Sequence, residues 1–101
     1  MTTDDLTAPR GRRPFLTALD EAVRQRGGMS CGIVRRHGTP VLHVINAESP
    51  SRFTEVGADF ICGAWLFTWA ATGTPIGPAN APATAADTIA KAVGARTGNG
   101  S

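Results

Sequence analysis

Residues 58–71, ADFICGAWLFTWAA, decide how this chain folds. The run is long enough for three turns of helix, yet Phe, Ile, Trp and Thr are frequent in it and Gly63 sits at its middle. Those residues favour a pleated strand over a helix. On a period of two, Ile61, Trp65, Phe67 and Trp69 share one face, and Phe60, Cys62, Ala64 and Leu66 share the other. A strand that is apolar on both faces belongs in the centre of a sheet or at an interface.

Downstream, residues 72–78 (TGTPIGP) read as a turn-rich connection, held extended by its prolines. The chain then offers a last helix over residues 84–95. Thr84 is placed to cap it, Ala86, Ile89, Ala90 and Val93 form its apolar side, and Gly94 ends it. Upstream, residues 46–57 begin as a loop around Pro50, with Phe53 and Val56 starting a strand or anchoring the loop.

Before that loop, Ile33 and Val34 lead through Arg35 and Arg36 into a turn at His37-Gly38-Thr39-Pro40, and residues 41–45 (VLHVI) return. β-branched residues dominate both arms, so the stretch reads as a hairpin. If Arg36 faces Val41, then Cys31, Ile33, Arg35, Leu42 and Val44 fall on one face, and Val34, Val41, His43 and Ile45 fall on the other. Neither face is clean, which implies a sheet covered at least partly on both sides. The chain's first helix spans residues 14–26. Pro14 suits its first position, Phe15, Leu16, Leu19, Ala22 and Val23 form its stripe, and Gly27-Gly28 stops it. Helix, hairpin, long strand or strand pair, and helix make an α+β domain. The expected architecture is an antiparallel sheet of three or four strands with an N-terminal and a C-terminal helix packed on it.

With 101 residues and 42% apolar composition there is room for one domain with a packed core. It should run from 14 to 95, between a flexible basic arm at 1–13 and a disordered tail at 96–101. A net charge of +2 is too small to attract nucleic acid or membrane in bulk. No apolar run reaches the ~20 residues of a membrane span, and the first residues lack the apolar core of a signal peptide, so a cytoplasmic protein is expected. Nine of ten basic residues are Arg. With abundant Ala, Gly and Thr, that bias reads as a high-GC genome such as an actinobacterium's rather than a selected arginine surface.

Candidate chemistry is sparse. Cys31 and Cys62 are isolated and placed on strands, where free cysteine behaves as a small hydrophobe; a redox or nucleophilic role needs a base or cation nearby. His43 alternates with Val41 and Ile45 and reads as a half-buried strand histidine, with an acid–base pair to Asp59 as the alternative. Two Cys and two His lack the paired short spacings of structural zinc. Phosphate loops and a nucleophile elbow are also missing, so no cofactor is expected. Arg10, Arg12 and Arg13, with Arg35 and Arg36 in the hairpin, could touch nucleic-acid phosphates, but no aromatic residues interleave with them, so a solvated tail is expected and not a nucleic-acid partner.

The aromatic strand therefore carries the functional expectation. Trp65, Phe67 and Trp69 are either the main core under Phe15 and Leu19 or a surface completed by a second molecule, and a homodimer is the economical way to cover it. Trp65, Trp69, Gly73, Pro75 and Ile76, within WLFTWAATGTPIGP, also carry a resemblance over residues 14–95. In element order the chain resembles small actinobacterial proteins of the YbjN-like and type III secretion chaperone-like group. That resemblance implies an α+β dimer that binds other proteins without catalysis; the chain is shorter and less acidic than a typical secretion chaperone. The leading expectation is a non-catalytic adaptor, chaperone-like or regulatory protein, homodimeric, binding through Trp65, Phe67, Trp69 and Ile61 with His43 and Arg35 at hand. The alternative is a small-molecule binder or accessory enzyme with an apolar pocket on the same face.

Overall fold

The computed structural model describes residues 12–95. Most of the expected basic arm, residues 1–11, and the expected tail, residues 96–101, lie outside the described residues. The elements are α1 (Arg13–Arg26), β1 (Met29–Arg36), β2 (Thr39–Asn46), β3 (Phe53–Ile61), β4 (Ala64–Trp69), β5 (Pro75–Pro78) and α2 (Pro82–Ala92). The strands form one antiparallel meander in the order β1-β2-β3-β4-β5. This is the expected α+β arrangement, with five strands in place of three or four.

The extra strands come from two places. The run at 58–71 is not one strand, because the chain reverses at Cys62 and Gly63, whose φ values are 50° and 83°. Positive φ at both positions of a two-residue loop is the turn that matches strand twist, and Gly63 adopts it at no steric cost. His37 (φ 53°) and Gly38 (φ 79°) close β1–β2 in the same way, so Thr39 and Pro40 belong to β2 rather than to the turn. The proline-rich connection supplies the fifth strand. β5 lies at the sheet edge, where residues without an N–H are tolerated.

Register then corrects one expected face. Ile61 pairs with Ala64 and Phe60 with Trp65, so Ile61 lies on the opposite face from Trp65, Phe67 and Trp69. The hairpin faces stand as read, although Arg36 pairs with Thr39 and not Val41. A shift of two residues leaves every side chain on the same side.

Both helices cover the face that carries Met29, Leu42, Val44, Val56, Ala58 and Phe67. Leu16, Leu19 and Val23 of α1 meet them there, with Ala86, Ile89 and Ala90 of α2. The small side chains of α2 let it sit close to α1, and Arg26 reaches Asp87 at 2.9 Å across the pair. α2 begins at Pro82, two residues before the expected Thr84 cap, with Ala81 as its N-cap and no side-chain cap bond. Proline preset for the first helical position explains the earlier start. Its end is as expected: Gly94 (φ 70°) follows the helix, and the Ala95 N–H donates to the Ala90 carbonyl at 2.8 Å. Asn46, buried at the end of β2, ties this terminus down. Its Nδ2 donates to the Val93 carbonyl at 2.9 Å, and its Oδ1 accepts from the N–H of Glu48 (2.8 Å) and Ser49 (3.0 Å).

Candidate functional site

The second sheet face has no described element over it. The ladder sets its rows: Gly32–His43–Glu55, then Val34–Val41, then Arg36–Thr39, with Gly57 paired to Thr68 and Asp59 to Leu66 on the far strands. Ile45 and Phe53 pair at one end. An antiparallel sheet wetted on one side normally shows polar residues there. This face is mixed: Val34, Val41, Ile45, Phe53, Ile61 and Leu66 stand among Arg36, Thr39, His43, Glu55, Asp59 and Thr68.

Its polar groups are tied to one another. The Arg36 guanidinium donates to Glu55 twice, from Nε at 3.0 Å and Nη2 at 2.6 Å. Since Arg36 is on β1 and Glu55 on β3, this clasp runs diagonally over β2 above Val41. Val41 is 6% exposed, and it is the one buried apolar residue of those described that lies outside the main core. Glu55 also meets His43 Nδ1 at 2.8 Å, and the His43 ring stacks on Phe53 with centroids 5.4 Å apart. The Arg36 hydrogen bonds foremost, helped by His43, hold the Glu55 carboxyl below the usual glutamate range against the opposing effect of burial.

A second group lies across the sheet. Thr68 donates from its hydroxyl to Asp59 at 2.7 Å, and Arg12, entering α1, reaches the same carboxylate at 3.5 Å. Gly57 makes room for the pair, because a Cβ there would stand 3.3 Å from Thr68 Oγ1. Between the groups lies an open cleft of about 720 Å³, lined among others by Arg36, Val41, Phe53, Glu55, Asp59 and Thr68.

The six expected site residues are divided by this geometry. Phe67 is fully buried beneath the helices; Trp65 and Trp69 lie half-buried on the same face, packed against the core. That is the core alternative of the two held for this strand. Trp65 also meets Phe15 (5.2 Å) and Phe60, an exposed ring at 5.6 Å, in tilted ring contacts. Arg35 is on the helix side and donates to the Gly38 carbonyl at 3.0 Å, bracing the hairpin turn. Only His43 and Ile61 lie on the open face; His43 is the half-buried strand histidine expected, and its alternative pairing with Asp59 does not form, because Glu55 takes His43 and Thr68 takes Asp59.

Cys31 is half-buried on the helix side, with Sγ 3.6 Å from the Asp20 carbonyl that accepts its proton. Burial foremost, with Asp20 adding to it, pushes its thiol up to about 11. Cys62 occupies the β3–β4 turn, not a strand, and is exposed. No cluster of three or more His, Cys, Asp or Glu among the described residues could hold a metal ion. No helix among them is long and apolar enough to cross a membrane.

Arg36, Glu55, Thr68 and Phe53 were not singled out by sequence as site residues. Alternation marks Phe53 and Glu55 as facing together, but their partner strand is fixed only by the loop at 47–52, whose length hides the β2–β3 register. Comparison with known proteins returns no match: no family model fits the chain, and no curated protein or solved structure is significantly similar to it.

Proposed function

We propose that this chain is a protein-binding module, an adaptor, chaperone-like or regulatory protein that acts by contact and not by chemistry of its own. One observation carries the reading: a five-stranded sheet keeps six apolar side chains, with Phe53 59% exposed among them, on a face that neither helix covers. Its charged groups are held in pairs, so contact leaves no lone ion among them without a counter-charge. This moves the contact surface from the expected Trp65, Phe67 and Trp69 to the opposite face, with Phe53 at its rim. The resemblance to the YbjN-like and secretion-chaperone-like group agrees in kind with the reading and is part of the proposal, as is a cytoplasmic setting. A small apolar ligand is the second reading, favoured by the cleft beside the stacked His43 and Phe53 rings.

The test uses two phenylalanines of β3. Phe53 is 59% exposed on the open face and Phe60 is 61% exposed on the helix side. A photo-crosslinking residue at each position, in the full chain in living cells, should give protein adducts at 53 and few at 60. Equal or absent adducts at 53 would overturn the reading.

A further inference from the structure

The open face carries six apolar side chains beside its paired charges, Phe53 the most exposed of them, and both helices are committed to the other side. We infer that a second copy of this chain covers it, sheet against sheet, giving a helix–sheet–sheet–helix homodimer; this rests on the protein-binding reading above.

Three observations select a second copy. The first is area. Five strands of four to nine residues at ~3.3 Å per residue, set ~4.8 Å apart, give a projected face of roughly 500 Å² before side-chain relief is added. That approaches the ~800 Å² per partner of a standard stable interface, which a short peptide or small ligand does not require. The second is shape. Antiparallel sheets pack face to face about 10 Å apart with their strands ~30° from parallel, and interdigitate side chains of medium size such as Val34, Ile45 and Leu66.

The third is charge. Arg36 sits against Glu55 and Arg12 against Asp59, so each cation brings its own carboxylate. Two identical faces therefore meet without stacking like charges, and the buried ions keep partners. An acidic or basic partner would find no net field here to steer it. The dimer expected from the sequence is thus reached through the face opposite to Trp65, Phe67 and Trp69.

The experiment is sedimentation equilibrium on the purified full chain, wild type beside Phe53→Asp and Phe60→Asp. Both rings are more than half exposed in the single chain, so neither substitution should unfold it, and circular dichroism checks this. The expected result is about twice the 10.5 kDa chain mass for wild type and Phe60→Asp, with a loss of at least tenfold in self-affinity for Phe53→Asp. A wild-type monomer up to 100 µM overturns the homodimer. If that monomer still gives heterologous adducts at position 53, the binding reading stands alone; with no adducts, both fall. A dimer split by Phe60→Asp and not by Phe53→Asp overturns the assignment of the face. So does an adduct at 53 that maps to residues 1–11 of the same chain.

Discussion

Replacing Phe67 by Leu separates core from interface at the residue where the sequence left both open. Phe67 is fully buried between the helices and the centre of β4. The substitution deletes three carbons from that site, and at ~0.8 kcal/mol per buried methylene the loss is about 2.4 kcal/mol before any cavity is counted. In a domain of this size each kcal/mol lowers Tm by roughly 4–8 °C, so the expected fall is on the order of 10–20 °C. The assay is thermal unfolding followed by far-ultraviolet circular dichroism, at fixed protein concentration and neutral pH. Phe60→Leu is the internal control, since the same carbons leave a ring that is 61% exposed and the cost should stay near ~0.5 kcal/mol. A Tm fall below about 3 °C for Phe67→Leu, accompanied by a fall in solution mass, would refute the placement of Phe67 in the core.

Two other outcomes follow from the electrostatics. Because the Arg36–Glu55 clasp favours the ionised carboxylate, its contribution should be complete above the ordinary glutamate value of ~4.3 and fade as pH falls through the lower folded-state value. Urea midpoints of wild type and Glu55→Gln should therefore converge below about pH 4; a gap unchanged from pH 7 to pH 3 would contradict the clasp. Cys31, with its thiol near 11, should be about one-thousandth thiolate at pH 8. Thiol titration should show Cys62 reacting first and the half-buried Cys31 far more slowly until the chain unfolds, whereas equal rates would show that Cys31 is not shielded.

Much of the fold is legible in the sequence because helix signals are local. Pro14, the stripe through Leu16, Leu19 and Val23, and Gly27 mark α1 almost to the residue. The hairpin faces are legible because a period of two survives a register error of two. What hides is the reversal at Cys62-Gly63. A turn of this type is usually announced by Asn or Asp before Gly, and a cysteine there leaves an unbroken apolar run that reads as one strand. That single omission moves Ile61 to the wrong face and places Phe60 away from Trp65. The site suffers more, because the clasp from Arg36 to Glu55 spans three strands, and such a contact exists only once the β2–β3 register is known.

The homodimer can be tested on wild type alone, through the dependence of Tm on protein concentration. An assembly that dissociates as it unfolds is stabilised by mass action, and a monomer is not. With ~0.7 kcal/mol of unfolding enthalpy per residue over two chains of 101 residues, a hundredfold rise in concentration should raise Tm by roughly 7 °C. A Tm that stays constant from 5 to 500 µM would contradict a second copy on the open sheet face.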